Sequence, residues 1–279
     1  MSRLTSLPVE VAREVNDREA EAMFGPVESV ANIGERGIPG PAGEIRVRTY
    51  RPDSEVALPV LVYFHGGGWV VGSLDSHDGV SRFLAGHGRC VVVSVDYRRA
   101  PEHKFPAALE DAWAATRWVH EHAGEIGGDT GRLAVGGDSS GGNLAAVVAL
   151  RARDGGLPLE LQVLVYPVLD CVGEPDVAYW VRQYLGTDAD AMSPDASPLR
   201  AGNLHGVAPA LVLSCGLDPL MAQGEAYVRR LGEAGVRARH ISYPDLIHGA
   251  YRMPGVLPGA RRMLEDTASA LVNAFGRSS

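Results

Sequence analysis

The sequence predicts a mostly parallel, doubly wound α/β sheet flanked by helices, formed by residues 1–279 as one domain. Apolar runs of strand length alternate along the chain with helix-like segments, as they do in parallel β–α–β units. Several of these runs are apolar on both faces, which is typical of strands that are covered on both sides. A chain of 279 residues is long enough to bury one large core of this kind.

The elements of the N-terminal half follow this alternation in order. Residues 1–40 are compatible with a helix at first and become rich in Gly and Pro at Gly34–Gly43, where no strand is predicted. The alternating segment Glu44–Tyr50 predicts a strand with one buried face, and the apolar run Pro59–Phe64 predicts a central strand. Three further elements are predicted: a helix at Ser76–Gly86, a strand at Cys90–Tyr97 and a helix that begins at Pro106.

The C-terminal half repeats the pattern. The predicted strands are Arg132–Val135, Leu159–Tyr166, Ala210–Cys215 and Val236–Tyr243, and the predicted helices are Asn143–Arg153, Met221–Glu233 and a last one after Gly255. About forty residues after Pro167 break the alternation. An insertion at the C-terminal end of a strand lies where α/β proteins bind ligands, so we expect a lid there, built with residues 1–40. Its aromatic residues either line an apolar pocket or pack on the core: Tyr179, Trp180 and Tyr184.

The turn Gly136–Gly142, G-G-D-S-S-G-G, contains the candidate catalytic nucleophile. It joins a predicted strand to a predicted helix and contains one G-x-S-x-G window, with Ser139 at its centre. That pattern describes a sharp strand-to-helix turn that exposes a strained nucleophilic serine. Ser140 is a rival, but Asp138 and not glycine stands two residues before it. A phosphate-binding loop is another alternative, although no Lys follows the glycines.

A nucleophilic serine needs a histidine base, which follows it in the chain in the order Ser, Asp or Glu, His. Three histidines lie beyond Ser139. His240 falls within the last predicted strand, and His205 falls in the long insertion. His248 follows the last strand on a loop that reaches the C-terminal edge of the sheet, so it is the preferred base.

The orienting carboxylate is expected at the tip of the preceding strand. Asp218 stands directly after that strand and is preferred. Asp245 is the nearest rival, although it lies only three residues from His248 on the same segment. Asp170 and Glu225 are less well placed.

The oxyanion of an acyl-transfer intermediate needs backbone N–H donors. The N–H of Ser140, directly after the nucleophile, is one such donor. The segment His65–Gly68, H-G-G-G, follows the predicted central strand, and loops of this type supply donors in lipases and esterases. We expect His65 itself to be structural, because it begins the turn.

These motifs together resemble those of the hormone-sensitive-lipase-like family of α/β-hydrolase carboxylesterases. The matching segments are His65–Gly68, Asp96–Ala112 (D-Y-R-R-A-P-E-H-K-F-P-A-A-L-E-D-A), Gly137–Gly142, Ser197–Leu199, Asp218–Leu220 and His248–Gly249. The similarity extends from about Val60 to the end of the chain.

The resemblance implies the α/β-hydrolase fold with a small cap from the N-terminus and from an insertion after residue 167, at about residues 170–205. The implied triad is Ser139, Asp218 and His248, and the implied oxyanion donors are Gly66, Gly67 and Ser140. The chain departs from the family pattern at two sites. Arg99 replaces the usual Leu, and Ala222-Gln223 replace an acidic pair.

The predicted function is a serine carboxylesterase that hydrolyses short- to medium-chain acyl esters without a cofactor or metal. An amidase or other acyl hydrolase with the same triad is an alternative. A non-catalytic ligand-binding receptor on this fold is a weaker one, because such a protein is expected to have lost a triad residue.

The composition of the chain excludes several classes of binding partner. A formal net charge of −8 and the lack of a basic run argue against nucleic acids and anionic membranes. Met1–Glu10 lacks an apolar signal segment, and no apolar run approaches membrane-spanning length. The three cysteines show no metal-ligand spacing. We therefore expect a cytoplasmic enzyme whose partner is a small-molecule ester.

The resemblance also suggests a homodimer. The last predicted strand, Val236–Tyr243, is expected at one edge of the sheet, where an exposed strand invites pairing. Together with the C-terminal helix near Leu264–Phe275, this edge could pair across a two-fold axis. Arg237 and Arg239 could instead protect the edge from pairing.

Overall fold

The computed structural model describes residues 4–173 and 175–276. Residues 1–3 and 174, which belong to the two predicted cap segments, lie outside the described residues. The strands are β1 (Asn32–Gly40), β2 (Gly43–Arg51), β3 (Leu58–Phe64), β4 (Val91–Asp96), β5 (Gly128–Asp138), β6 (Leu161–Val165), β7 (Ala210–Leu217) and β8 (Ala238–Ile247). The α-helices are α1 (Val9–Phe24), α2 (Asp78–Gly88), α3 (Ala107–His122), α4 (Ser140–Asp154), α5 (Ala178–Tyr184), α6 (Met221–Glu233) and α7 (Pro258–Phe275).

The strands form one sheet in the order β1-β2-β4-β3-β5-β6-β7-β8. From β4 to β8 all neighbours are parallel, whereas β1 and β2 run antiparallel to theirs. The predicted mostly parallel α/β sheet is confirmed, and the last strand lies at an edge as expected. Because parallel strands end on the same side, the loops after β3, β5, β7 and β8 meet at one edge of the sheet.

β1 is the element that the sequence analysis missed. The segment rich in Gly and Pro is the edge strand of a hairpin with β2, in which Ile38 pairs with Ile45 and is 1% exposed. An edge strand tolerates Pro39, because proline removes a ladder hydrogen bond only on the side where no neighbour exists. Gly and Pro hid the alternation that would have predicted the strand.

Two apolar layers cover the sheet. Alternate residues of β3 belong to different core clusters, with Val60 and Val62 on one face and Leu61 and Tyr63 on the other. Helices α3, α4 and α6 contribute to the first cluster, and α2 and α7 contribute to the second. The period of two in the strand thus produces the doubly wound arrangement.

The two segments expected to form a cap both contact residues 65–72, the loop that follows β3, which we call the glycine loop. A small cluster joins Ala12 of α1 and Trp180 of α5 to Val70 and Val71 of this loop. The insertion itself consists of α5 and short 3₁₀ turns. Within the described residues, no helix combines the length and the apolar character that crossing a membrane requires.

Candidate active site

Ser139 occupies a sharp turn between β5 and α4. Its backbone has φ +54° and ψ −115°, a conformation that is strained for a residue with a side chain. The turn needs glycine on both sides. A Cβ on Gly137 would lie 2.4 Å from the backbone of Gly141, and one on Gly141 would lie 1.9 Å from the carbonyl oxygen of Phe64. The predicted strand–turn–helix geometry is confirmed at this position.

His248 connects Ser139 to Asp218 by hydrogen bonds. Its Nε2 lies 2.9 Å from Ser139 Oγ, and its Nδ1 lies 2.7 Å from Asp218 Oδ2. Asp218 directly follows β7, and His248 directly follows β8, so the parallel pairing of these strands brings the two side chains together. A carboxylate only accepts hydrogen bonds, so Nδ1–H donates to Asp218, and Nε2 is left to accept from the serine hydroxyl.

The alternatives to these residues are placed elsewhere. Ser140 Oγ is buried, and the residue has no exposed surface. Asp245 is an exposed residue of β8. His240 Nε2 lies 3.0 Å from Ser214 Oγ within the sheet, as expected of a strand residue, and His205 is exposed.

Gln223, which departs from the family pattern, supports the loop after β6. Gln223 accepts hydrogen bonds from the N–H groups of Leu169 and Asp170 at 2.7 and 2.9 Å and donates to the Asp170 carbonyl. A glutamate could accept the same two bonds but could not donate the third. Asp170 is itself paired with Arg200, while Glu225 is exposed on α6.

The structure of the glycine loop excludes one of the predicted oxyanion donors. The N–H of Gly66 donates to the buried carboxylate of Asp138 at 3.0 Å and therefore points into the protein. The expectation that Gly66 is an oxyanion donor is wrong for this reason. Among the described residues, no acceptor pairs with the N–H groups of Gly67 and Gly68.

The third predicted donor, Ser140, is the first residue of α4, where helix geometry leaves the N–H without an intrahelical partner. Sequence reasoning missed Gly68, because the motif shows three glycines but not the direction of each N–H.

His65 is buried beneath the glycine loop. Its Nδ1–H donates to the Gly66 carbonyl at 2.9 Å, and its ring stacks on Tyr97 with centroids 4.3 Å apart. Burial, with a smaller contribution from His77, lowers the pKa of His65 to about 3. The ring is therefore neutral near neutral pH and serves a structural purpose, in line with the expectation.

Arg99, which also departs from the family pattern, supports the C-terminal end of the glycine loop. Arg99 donates to the Gly72 carbonyl at 2.5 Å. The charge that replaces the usual apolar side chain thus binds the backbone of the glycine loop, and the hydrogen bonds that join Ser139, His248 and Asp218 do not involve it.

Among the three aromatic residues of the insertion, Tyr184 has the expected role of packing on the core. Tyr184 is fully buried and stacks on Trp69 at 4.1 Å, so it packs on the core. Trp180 is 4% exposed and packs directly on Gly68. Tyr179 contacts Trp180 edge-on at 5.0 Å and is partly exposed.

The arrangement can perform acyl transfer. A serine hydroxyl next to an imidazole becomes a nucleophile, a carboxylate orients that imidazole, and unpaired N–H groups nearby can receive a developing oxyanion. Among the described residues, no three His, Cys, Asp or Glu side chains are grouped as ligands of one metal ion.

Comparisons with known proteins agree on one family. The sequence profile of the alpha/beta hydrolase fold family matches residues 61–252. The carboxylic ester hydrolase LipN of Mycobacterium tuberculosis is 43% identical over 273 residues, which cover 90% of this chain and 72% of that protein. The esterase LipI of the same organism is 44% identical over 259 residues, covering 84% and 80%. A hyperthermophilic esterase from the archaeon Pyrobaculum calidifontis superposes with a TM-score of 0.93 at 40% identity, over 96% of this chain and 94% of that one.

Proposed function

Because this chain belongs to the hormone-sensitive-lipase-like family of α/β-hydrolase carboxylesterases, we propose that Ser139, His248 and Asp218 are its nucleophile, base and orienting carboxylate. The protein is a serine carboxylesterase. One observation carries the assignment of roles. The two ring nitrogens of His248 lie 2.9 Å from Ser139 Oγ and 2.7 Å from Asp218 Oδ2.

The first half of the reaction transfers the acyl group to the enzyme. Ser139 Oγ attacks the ester carbonyl carbon while His248 Nε2 takes the hydroxyl proton. The carbonyl oxygen becomes an oxyanion, which accepts hydrogen bonds from the N–H groups of Gly67, Gly68 and Ser140. When the intermediate collapses, the bond to the alkoxide breaks, and His248 gives the leaving group its proton.

The second half releases the acid. Water enters in place of the alcohol, and His248 takes one of its protons while the water oxygen attacks the acyl carbon. The same N–H groups stabilise the second oxyanion. The bond to Ser139 Oγ then breaks, and His248 returns the proton to the serine. Asp218 accepts the hydrogen bond from Nδ1–H and holds the ring in the required tautomer throughout.

Substitution of the two adjacent serines tests the nucleophile. Ser139→Ala should lower kcat by about a million-fold, as loss of a serine nucleophile does in other serine hydrolases. Ser140→Ala removes a buried hydroxyl but keeps the backbone N–H, so its kcat should stay within about tenfold of wild type. Hydrolysis of p-nitrophenyl butyrate and the melting temperature are measured for both. Equal loss of activity in two folded variants would contradict the assignment.

We propose that the substrates are short- to medium-chain acyl esters. Trp180 of the insertion is 4% exposed and packs on Gly68 of the glycine loop, so a bulky ring bounds this side of the site. A bounded site of this kind limits the length of the acyl chain.

A series of p-nitrophenyl esters tests this proposal. The value of kcat/KM should peak at short or medium acyl chains and fall beyond about twelve carbons. A rate that rises steadily past that length, or that jumps when the ester forms an emulsion, would contradict it. Methyl and aryl esters of the same acid provide the control for the alcohol side.

We also propose a cap formed by α1 and by the insertion at about residues 170–205. Both segments contact the glycine loop, and both lie at the edge of the sheet that holds Ser139.

We further propose a cytoplasmic location, supported by three cysteines that are all free and buried, which suits a reducing compartment. Fractionation of the native host with antibody detection tests the location.

The remaining proposal is a homodimer that pairs β8 and α7 across a two-fold axis. β8 is an edge strand, and Arg239 and Ser242 on it are exposed. A free edge can either pair or be protected from pairing.

A further inference from the structure

A second buried His–Asp pair lies next to Ser139 and consists of His77 and Asp138. Asp138 directly precedes Ser139 in the chain, and its Oδ1 lies 3.0 Å from His77 Nε2. The same oxygen accepts hydrogen bonds from the Gly66 N–H at 3.0 Å and from the Tyr63 hydroxyl at 2.8 Å. The proposed reaction uses none of these bonds.

Both members of this pair are removed from water. Asp138 is 2% exposed, and His77 has no exposed surface. Burial by itself raises the pKa of Asp138, but His77, Arg252 and Tyr63 together lower it by more, so that its pKa lies far below the usual range. A carboxylate that is ionised at this depth is costly to bury, and its retention needs an explanation.

The explanation suggested by the geometry is that one carboxylate links two loops. Asp138 belongs to the turn that carries Ser139, and Gly66 begins the segment that carries the N–H groups of Gly67 and Gly68. The two approach so closely that a Cβ on Gly66 would lie 2.4 Å from Asp138 Oδ2. No side chain other than hydrogen fits at residue 66 while this contact is kept.

We propose that Asp138 and His77 are positioning residues that fix the N–H groups of Gly67 and Gly68 relative to Ser139 Oγ. The inference rests on the proposed roles of Ser139 and of those N–H groups. Peptide planes are rigid, so anchoring the Gly66 N–H sets the start of the next two peptide units. Oxyanion donors stabilise the transition state only when they are held in place before the reaction.

His77 is in turn fixed by a chain of hydrogen bonds that reaches α1. Its Nδ1 lies 2.9 Å from Ser76 Oγ, which accepts from the Ser73 N–H at 2.8 Å. Ser73 Oγ donates to Asp17 of α1 at 2.9 Å. Hydrogen bonds from the segment that follows the glycine loop therefore connect the pair to α1.

The competing explanation is that the pair contributes only to stability. The two explanations predict different kinetics. A positioning role acts on the transition state, so loss of the pair should lower kcat and leave KM nearly unchanged. A stability role should lower the melting temperature and leave the kinetics of the folded enzyme intact.

Asp138→Asn keeps the size of the side chain and removes its charge. We expect kcat for p-nitrophenyl butyrate to fall by about 10²-fold, with KM changed by less than about threefold, because misplaced oxyanion donors cost about that much. The affinity for phenylboronic acid, which forms a tetrahedral adduct on the serine, should fall by a similar factor. The matched control is Asp111→Asn, which removes another buried carboxylate, one paired with Arg98 at 2.8 Å. It should lower the melting temperature and leave kcat unchanged.

Two further variants test the positioning role without relying on Asp138→Asn alone. His77→Gln keeps a donor near Asp138 and should lower kcat by about tenfold; it serves as the main test if Asp138→Asn does not fold. Gly66→Ala should push the glycine loop away from Asp138 and lower kcat by about 10²-fold. Because both changes break the same link, the Asp138→Asn, Gly66→Ala double variant should be little worse than either single one.

The proposal is overturned if folded Asp138→Asn or His77→Gln keeps the kcat and the boronate affinity of wild type. Independent, multiplicative losses in the double variant would overturn it as well. Ser139→Ala separates these results from a failure of the proposed function. If Ser139→Ala is inactive and the Asp138 and His77 variants keep full activity, the proposed triad is retained and only the positioning role of Asp138 and His77 is rejected. If Ser139→Ala is active, the proposed roles of Ser139, His248 and Asp218 are themselves rejected.

Discussion

Ser139 stores strain that its surroundings offset. Its left-handed backbone costs on the order of 1–3 kcal/mol for a residue other than glycine. Three backbone hydrogen bonds hold it there: the Ser139 N–H donates to Val165 at 2.8 Å, and its carbonyl accepts from Asn143 at 3.0 Å and Val168 at 3.2 Å. The strained residue is thus fixed by neighbouring elements on both sides, which keeps its hydroxyl directed at His248.

At the same scale, His65 should make stability depend on pH. The pKa of His65 is lowered to about 3 in the folded protein, whereas an unperturbed imidazole titrates near 6.5. Below about pH 6.5 the His65 imidazole is protonated in the unfolded chain but not in the folded protein. The free energy of unfolding should therefore fall as the pH drops toward 3. At pH 4.5 the loss from this group should reach about 2–3 kcal/mol.

Urea denaturation at pH 7.5 and pH 4.5 checks this expectation. His65→Gln keeps an amide donor for the Gly66 carbonyl but cannot titrate. It should be less stable than wild type at pH 7.5 and should lose less stability on going to pH 4.5. Parallel pH dependences in the two proteins would show that His65 is not the responsible group.

At the scale of elements, α1 depends on one arginine for its position. Only a few of its residues are buried: Ala12, Val15, Asn16 and Ala20. Arg13 donates to the Val70 carbonyl at 2.8 Å, to the Ala100 carbonyl at 3.0 Å and to both oxygens of Glu102 at 2.8 and 2.7 Å. The hydrogen bond from Arg13 lowers the pKa of Glu102 to about 2. The clamp is thus complete above the usual glutamate pKa and weakens as the pH falls toward 2.

Arg13→Ala should loosen α1 without unfolding the sheet. Local opening of the helix should become at least about tenfold more frequent, because several charge-assisted hydrogen bonds are lost together. The rate of cleavage within residues 9–24 by a glutamate-specific protease measures this opening. Arg18→Ala, an exposed arginine on the same helix, is the control and should leave the rate unchanged. Equal rates in all three proteins would show that the hydrogen bonds of Arg13 do not hold α1 in place.

At the scale of the whole molecule, the sheet has two edges, β1 and β8. Each edge presents unpaired backbone groups that can add a strand from another chain. β8 lies at one of these edges, and a pocket there is lined by residues of β8 and α7, among them Arg239 and Asn273, and by the beginnings of β6 and β7. This surface is the one on which the proposed homodimer depends.

Light scattering should give twice the chain mass of 29.6 kDa at micromolar concentration. Arg239→Glu reverses the charge that each subunit presents on the proposed interface, so it should disturb the charge complementarity of the two faces and shift the equilibrium toward the monomer. Arg117→Glu, an exposed change on α3, is the control and should leave the mass unaltered. A mass of one chain for the wild type would end the dimer proposal, and a dimer that survives Arg239→Glu would move it to another surface.

The sequence by itself determined the alternation of strands and helices and the residues to consider at the site. Both depend on local signals. A period of two or continuous apolar character predicts strands, and the order in which Ser139, Asp218 and His248 follow their strands predicts that they meet. In a parallel sheet, residues that leave the same ends of neighbouring strands must come together, whatever the separation along the chain.

Only the tertiary structure decided the features that depend on distant contacts. Gly66, Gly67 and Gly68 look alike in the sequence, and the direction of each N–H follows from the position of Asp138, 72 residues away from Gly66. Tyr184 belongs to the core because Trp69 meets its ring. β1 is a strand because β2 pairs with it, despite its Gly and Pro. Local composition cannot encode these outcomes, since each depends on which surfaces the fold places side by side.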